Sequence, residues 1–321
     1  ERSGKYEESL AELNLAYEAV ANTTDVGLRI DIVTDRAMLM REMGDTLAAC
    51  ELLNETRSQL PNITNQVSAF ARMTAVMIYV LFERGDFAAA SRVAQEAIAD
   101  LDDQSPPQAR AQLLWNASLV AGNSGDPMGA VLMSEEALAL MQLVGHQRSI
   151  TRLRLNVAFL QTRLTPPDLD SALKQLRAAE QELGETGPIT DRAAQQSELA
   201  RVLIMQGEVK AAKAAIENAI ALRKDIDADG ELAQCILLSA QIAAADGRSP
   251  EVPALIAQAR QLLANATPSR ATSLVWRELG DALIAAGQLE DGSLCLQLAL
   301  DDAGIRATET LTLTKTKGKR R

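Results

Sequence analysis

Eight short breaks recur along the chain at a nearly constant interval, and this interval strongly limits the possible folds. Most breaks consist of a Gly, a polar residue and then commonly an apolar one, with a small residue near the fifth position after the Gly. They lie at Gly4, Gly44, Gly85, Gly125, Pro167, Gly207, Gly247 and Gly287. Successive breaks are 40, 41, 40, 42, 40, 40 and 40 residues apart. Because Gly ends one helix and the polar residue begins the next, the sequence predicts a stack of helical hairpins.

The last hairpin shows how two helices of one repeat fit together. The first helix carries Trp276, Leu279, Gly280 and Leu283 on one face, and the second carries Leu289, Gly292, Leu296 and Ala299 on one face. Large side chains opposite small ones let two helix backbones approach closely. This pattern resembles a tetratricopeptide repeat, although a period near 40 exceeds the standard 34 residues and overlaps the range of HEAT and armadillo repeats.

The resemblance implies an all-α fold: a right-handed superhelical solenoid of about seven helical hairpins. We expect residues 1–304 to form this single solenoid and residues 305–321 to form a basic C-terminal tail. The first break comes only four residues into the chain, so Tyr6 to Ala21 is interpreted as the second helix of an incomplete hairpin, and the chain as a piece of a longer protein. That helix is expected to expose an apolar face and either to fray or to pair with a second copy in a homodimer.

Composition and charge exclude several classes of function. The chain has 321 residues, of which 47% are hydrophobic and only 3% aromatic, as in helix pairs packed through small side chains. Its net charge of −11 would repel a phosphate backbone, so we expect no direct binding of nucleic acid. No apolar run approaches the roughly 18 residues that would span a bilayer, and we expect a cytoplasmic protein without membrane contact. Cys50, Cys235 and Cys295 lie far apart in apolar helical patterns, which indicates small core residues.

No arrangement of residues indicates catalysis or a cofactor. His146 is the only histidine, and no strand-linked glycine loop of the nucleotide-binding type occurs. Asp225, Asp227, Asp229 and Gly230 match the first half of an EF-hand loop, but Ile236 stands where the loop needs a bidentate Glu. We therefore favour a turn in which Asp229 caps the next helix, with calcium binding as the alternative.

The first helices of such hairpins line the inner, concave side of a solenoid, and their residues are candidates for binding a partner. The residues on the face that hairpin packing leaves available are Arg72, Tyr79, Phe82, Trp115, Arg152, Phe159, Arg163, Arg201 and Arg277. The arginines predict a locally positive strip able to bind carboxylates or to stack on rings. Phe82, Trp115 and Phe159 have an alternative interpretation as core residues between repeats.

Two segments sharpen this prediction, because LLWNASLV and LRLNVAFL superpose with an offset of 40 residues and place Asn116 on Asn156. They resemble the Asn-Leu-Ala signature of kinesin-light-chain-like repeats and of bacterial peptide-sensing regulators. The resemblance implies that inward-facing amides hold the backbone of an extended peptide, since an amide offers both a donor and an acceptor. Only these two repeats carry the Asn.

The expected function is therefore non-catalytic binding of a peptide or protein segment. The context that the resemblance implies is the sensor or oligomerisation region of a bacterial transcription regulator with a helix-turn-helix domain upstream. Two alternatives stay open: a stand-alone adaptor in a multiprotein complex, and the repeat region of a large ATPase-type transcription activator.

Overall fold

The computed structural model describes residues 2–20, 25–59, 67–100, 105–224, 226, 229–266, 268, 270–285 and 287–303. All regular structure in these residues is helical, which confirms the predicted all-α fold. The chain divides into two compact units, unit 1 from Glu1 to Asp225 and unit 2 from Ile226 to Arg321. That residues 1–304 form one continuous solenoid stays a prediction, and residues 305–321 lie outside the described part.

Unit 1 contains eleven helices among its described residues. They are α1 (Arg2–Val20), α2 (Val26–Glu42), α3 (Thr46–Gln59), α4 (Val67–Glu83), α5 (Phe87–Ala99), α6 (Pro107–Asn123), α7 (Pro127–Val144), α8 (Gln147–Gln161), α9 (Leu169–Leu183), α10 (Ile189–Met205) and α11 (Val209–Arg223). Five hairpins follow α1, with α2, α4, α6, α8 and α10 as their first helices and α3, α5, α7, α9 and α11 as their second helices.

Neighbouring hairpins of unit 1 pack in the order in which they occur along the chain. First helices contact one another where α2 meets α4, α4 meets α6, and α8 meets α10. Each second helix from α3 to α9 also packs on the first helix of the following hairpin. The first helices therefore form one layer of the unit and the second helices form another.

The predicted breaks lie between the two helices of each hairpin, with one exception. In unit 1, Gly44, Gly85, Gly125 and Gly207 all have φ between 77° and 88°, the left-handed conformation that ends a helix. At Gly44, Gly85 and Gly125 the following Asp accepts a hydrogen bond from a backbone N–H in the first turn of the next helix. The exception is Gly4, which lies inside α1, so the predicted break there is wrong.

The break at Pro167 separates α8 from α9 without a glycine. Asp168 caps α9 there by accepting a hydrogen bond from the backbone N–H of Ser171. The predicted hairpin is therefore present, with a longer connection between its helices than the other hairpins of unit 1 have.

The core of unit 1 consists mainly of aliphatic side chains packed on alanines. Ile30, Leu53, Ile78, Leu113 and Leu153 are buried, and so are the alanines that face them, among them Ala37, Ala49, Ala90, Ala111 and Ala137. Small side chains on one helix accept large ones from the next, which lets helix axes approach closely. This packing explains how the unit has a core with few aromatic residues.

Helix α1 precedes the first hairpin and packs on α2 with only part of its surface. None of its described side chains is fully buried, and Leu15 is 68% exposed. Tyr17 is half-buried against the core, and the guanidinium carbon of Arg36 lies 4.5 Å from the centre of its ring. These contacts hold α1 by one short stretch of its length.

Unit 2 consists of two hairpins, with helices α12 (Asp229–Ala245), α13 (Val252–Asn265), α14 (Arg270–Ala285) and α15 (Leu289–Asp302). A short 3-10 helix, Ser249–Glu251, lengthens the turn before α13. Together with unit 1, the described residues contain the seven predicted hairpins. No described helix is both long enough and apolar enough to cross a membrane.

The last hairpin confirms the predicted close approach of two backbones. A Cβ atom added to Gly292 on α15 would lie 2.9 Å from the carbonyl oxygen of Gly280 on α14 and 2.5 Å from Cγ1 of Ile284. Trp276, Leu279 and Leu283 are buried, as predicted.

The prediction for Leu289 is wrong, because this side chain is 63% exposed at the first residue of α15. The core-facing positions of α15 are Gly292, Cys295 and Ala299. Cys235 is also buried, whereas Cys50 is half-buried.

Candidate functional site

The first helices of unit 1 carry three rows of side chains that recur with the period of the repeat. The rows are Asp31, Arg72, Gln112 and Arg152; Asp35, Val76, Asn116 and Asn156; and Met38, Tyr79, Leu119 and Phe159. Within each row the spacings are about 40 residues, and every side chain is half-buried or exposed. We call this surface the first-helix wall. Its polar and aromatic side chains make it a candidate binding surface.

A groove crosses the amino-terminal halves of α2, α4 and α6. Its volume is about 510 Å³, and only residues of these three first helices and their amino-terminal ends line it. Gly27, Ala69 and Ala109 contribute one small, buried residue from each helix. The remaining lining residues are Asp25, Leu28, Asp31, Ser68, Arg72, Pro106, Gln108 and Gln112. We call this depression the polar groove; its depth follows from the small residues at equivalent positions of three repeats.

Arg72 lies in the polar groove, but its charge is balanced inside the protein. Its Nη1 atom donates a hydrogen bond of 2.9 Å to Oδ1 of Asp31, and its Nη2 atom pairs with Asp35, so that α4 is tied to α2. Burial lowers the pKa of the Arg72 guanidinium, but hydrogen bonds and charge from Asp35 and Asp31 outweigh this effect and raise the pKa above its ordinary value. Arg72 is therefore a charged link between two repeats.

Arg152 forms the same kind of link between α8 and α10. Its Nη2 atom lies 3.0 Å from Oδ1 of Asp191, a residue that is 7% exposed. Nε of Arg148 lies 3.9 Å from Oδ2 of the same carboxylate. The predicted strip of uncompensated positive charge is thus not what the wall shows, because acidic residues of neighbouring repeats pair with its arginines.

Arg163 and Arg201 lie nearer the carboxyl-terminal ends of the first helices. The guanidinium carbon of Arg163 lies 4.2 Å from the centre of the Phe159 ring, within range of a cation–π interaction. Nε of Arg201 lies 3.5 Å from Oε2 of Glu198, one turn earlier on α10. Arg277 is exposed on α14 and belongs to unit 2.

The predicted aromatic residues are half-buried, so part of each packs against the protein. The ring centres of Tyr79 and Phe82 are 6.4 Å apart, and Phe82 meets Phe87 edge-on at 5.8 Å. Burial raises the pKa of Tyr79 to about 12, and the nearby Glu83 adds to this shift. Trp115 packs against the core formed by α6, α7 and α8. These residues combine the predicted surface position with the alternative core role.

The two asparagines make different contacts. The Asn116 amide donates a hydrogen bond of 3.0 Å to the carbonyl oxygen of Gln112 in its own helix. The Asn156 amide donates to the hydroxyl oxygen of Ser134 on α7 at 2.9 Å and to that of Ser118 on α6 at 3.4 Å. Asn156 therefore connects three helices, a role that the sequence comparison of the two segments did not reveal.

Sequence reasoning missed the acidic and amide members of the wall. Asp31, Asp35 and Gln112 have the same 40-residue spacing as the arginines, and following each row back through all repeats would have identified them. Asp191 gave no such signal, since it pairs with Arg152 from a position outside the three rows.

Two further predictions concern sites outside the wall. The exposed ring of His146 caps α8 by accepting a hydrogen bond of 3.4 Å from the backbone N–H of Ser149. Asp225 and Asp227 of the predicted acidic turn lie outside the described residues, whereas Asp229 and Gly230 form the start of α12. Within the described part of the chain, no group of three or more His, Cys, Asp or Glu side chains could hold a metal ion.

Comparisons with known proteins identify the fold through structure and not through sequence. No model of a known protein family and no curated protein sequence matches the chain. Among solved structures, the apo form of RapI has a TM-score of 0.66 at 12% identity, covering 86% of this chain and 98% of that chain. A Rap protein complexed with competence and sporulation factor has a TM-score of 0.57 at 13% identity, covering 94% and 100%.

The apo form of the quorum sensor NprR from B. thuringiensis also has a TM-score of 0.57 at 13% identity, covering 94% of this chain and 99% of that chain. Tetratricopeptide-repeat proteins occur among the similar structures as well. At these identities the similarity shows the fold, an all-α solenoid of the tetratricopeptide type.

Proposed function

We propose that the first-helix wall of unit 1 binds an extended peptide or protein segment without catalysing a reaction. The observation that carries the proposal is the polar groove, a depression of about 510 Å³ built from equivalent positions of three consecutive repeats. A ligand that contacts the same position of several repeats has to be extended along the array. Peptide segments have this shape.

The chemistry of the wall supports the same class of ligand. Ser68, Gln108 and Gln112 supply hydroxyl and amide groups that can pair with peptide units of any sequence. Since both hydrogens of the Asn156 amide point to Ser134 and Ser118, we expect this residue to contribute its oxygen, as an acceptor for a backbone N–H. Trp115 and Phe159 add half-buried apolar surface beside these polar groups.

The similar structures support a sensing role. One is a Rap protein in complex with competence and sporulation factor, and another is the quorum sensor NprR. By this analogy of fold we propose that the chain is the ligand-sensing or oligomerisation region of a bacterial transcription regulator. The coding sequence upstream of Glu1 tests this context: a helix-turn-helix domain is expected there, and an NTP-binding domain would contradict it.

Affinity selection from a pool of randomised octapeptides tests the binding function directly. The parent protein is expected to retain a reproducible subset of the pool, identified by mass spectrometry. Ser68→Trp and Gln112→Trp place bulk on the wall and should remove this retention. Ala88→Trp, on the exposed surface of the second helix α5, is the matched control and should preserve it.

Two outcomes would refute the proposal. One is a parent protein that retains no peptides above the level of an unrelated helical protein. The other is a folded Ser68→Trp variant and a folded Gln112→Trp variant that retain the same peptides as the parent, which would place binding elsewhere. Circular dichroism and the unfolding midpoint in urea show whether each variant is folded.

A further inference from the structure

One end of the first-helix wall has an excess of negative charge. On α2 and α4, a single guanidinium, that of Arg72, lies between the carboxylates of Asp31 and Asp35. One positive charge cannot neutralise two negative ones, and both carboxylates are about half exposed. Asp25, whose carboxylate caps α2, adds a further negative charge to the lining of the polar groove. A cationic group entering this groove would find favourable charge.

The other end of the wall has the opposite excess. On α8 and α10, the single carboxylate of Asp191 lies between the guanidiniums of Arg148 and Arg152. Both guanidiniums are exposed to a large extent, whereas the carboxylate is nearly buried. An anionic group on the surface would therefore meet two arginines whose internal partner supplies only one negative charge.

Uncharged residues separate the two clusters. Helix α6 lies between α4 and α8 in the order of first helices, and it presents Gln108, Gln112 and Asn116 on the wall. Arg72, Gln112 and Arg152 occupy equivalent positions of their repeats, so the three helices present these side chains at the same level. The wall thus changes from negative through neutral to positive along the array.

We propose that the wall binds an extended segment that carries a cationic group over α2 and α4 and an anionic group over α8 and α10. This inference rests on the binding function proposed above and defines the chemistry and direction of its ligand. Two steps between neighbouring helices of about 8–10 Å each separate the clusters by roughly 16–20 Å. An extended chain rises about 3.3 Å per residue, so five or six residues separate the two charged groups.

The cationic group is a Lys or Arg side chain or a free α-amino group, and the anionic group is an Asp or Glu side chain or a free α-carboxylate. Two pools of randomised octapeptides distinguish these sources. In a pool with acetylated amino termini and amidated carboxyl termini, retained peptides should be enriched in Lys or Arg near one end and in Asp or Glu five or six positions away. In a pool with free termini, this enrichment should weaken if the termini supply the charges.

Charge variants test each end separately. Asp31→Asn combined with Asp35→Asn leaves Arg72 unopposed and should lower the affinity of a retained capped peptide about five-fold or more. Gln108→Lys combined with Gln112→Lys adds positive charge to the polar groove without removing an ion pair, and should have the same effect. The control is Glu51→Gln combined with Glu217→Gln, which removes two exposed carboxylates from the second helices α3 and α11 and should change affinity less than two-fold.

The outcomes separate this inference from the binding function. Retained peptides that show no paired enrichment in the capped pool, and whose affinity is unchanged in both wall variants, would overturn the charge assignment while leaving peptide binding in place. A parent protein that retains no peptides would overturn both. Loss of affinity in the control to the same extent as in the wall variants would show a general charge effect and would also overturn the assignment.

Discussion

Asn156 on α8 donates a hydrogen bond of 2.9 Å to the hydroxyl oxygen of Ser134 on α7, and so joins the fourth hairpin of unit 1's repeat series, counting α1, to the hairpin before it. The same amide reaches Ser118 on α6 at 3.4 Å. Both serines are fully buried, so their hydroxyl groups depend on partners within the protein.

Asn156→Ala should therefore destabilise the protein by about 1–3 kcal/mol, because it leaves buried hydroxyl groups with fewer partners. Asn116→Ala is the matched control, since it removes a hydrogen bond within one half-exposed helix turn and should cost less than about 1 kcal/mol. Urea denaturation followed by circular dichroism measures both. Equal losses in the two variants would show that the contacts of Asn156 with α6 and α7 contribute no more than a local bond.

Gly292→Ala should destabilise unit 2 by about 1–3 kcal/mol through overpacking. The new methyl group would lie 2.5 Å from Cγ1 of Ile284 and 2.9 Å from the carbonyl oxygen of Gly280, so α14 and α15 would have to move apart. A Gly to Ala change in an unconstrained helix is instead stabilising. Thermal unfolding measures the effect.

The neighbouring exposed residue provides a control for Gly292→Ala. Ser293→Ala lies one position further along α15, at the surface, and should change stability by less than about 0.5 kcal/mol. A Gly292→Ala protein as stable as the parent would show that the two helices of the last hairpin do not need this close approach.

Helix α1 should exchange its amide hydrogens faster than α2. None of its described side chains is fully buried, and its contact with the core depends largely on Tyr17. Hydrogen exchange read by mass spectrometry, on a sample shown to be monomeric by light scattering, measures the difference. Protection of α1 equal to that of α2 in that sample would contradict the prediction, whereas protection that appears only at high concentration would indicate pairing with a second copy.

The sequence predicted the fold well because the repeat gives the same signal many times. Seven hairpins share one spacing, so a break without the usual glycine, as at Pro167, could still be placed from its neighbours. The terminal signals had less support: Gly4 has no preceding repeat to set its register, and it lies within a helix.

The candidate site was harder to predict because charges on neighbouring repeats neutralise one another. Arg72 and Arg152 lie on the predicted face, but whether an arginine attracts a ligand depends on carboxylates about 40 residues away in the sequence. Asn156 has the predicted position and a structural role in addition. Pair contacts between repeats follow from packing, which a pattern within one helix does not reveal.

Deprotonation of Tyr79 should destabilise the protein at high pH. Burial, with a further contribution from Glu83, raises the pKa of Tyr79 to about 12, whereas a tyrosine in an unfolded chain titrates near pH 10. Because the pKa of the folded state is the higher one, its contribution to stability is fully present below pH 10 and is lost as the pH rises toward 12. The loss should be on the order of 2 kcal/mol.

Urea denaturation at pH 9 and pH 11.5 measures this loss, and Tyr79→Phe is the control because it keeps the ring that stacks near Phe82 but cannot ionise. The free energy of unfolding of the parent should fall more steeply between these pH values than that of the variant. A spectrophotometric titration at native conditions should show one tyrosine ionising later than the other two, Tyr6 and Tyr17, and this late step should be absent in Tyr79→Phe. Identical pH dependence of stability in the two proteins would show that the surroundings of Tyr79 do not favour its neutral form.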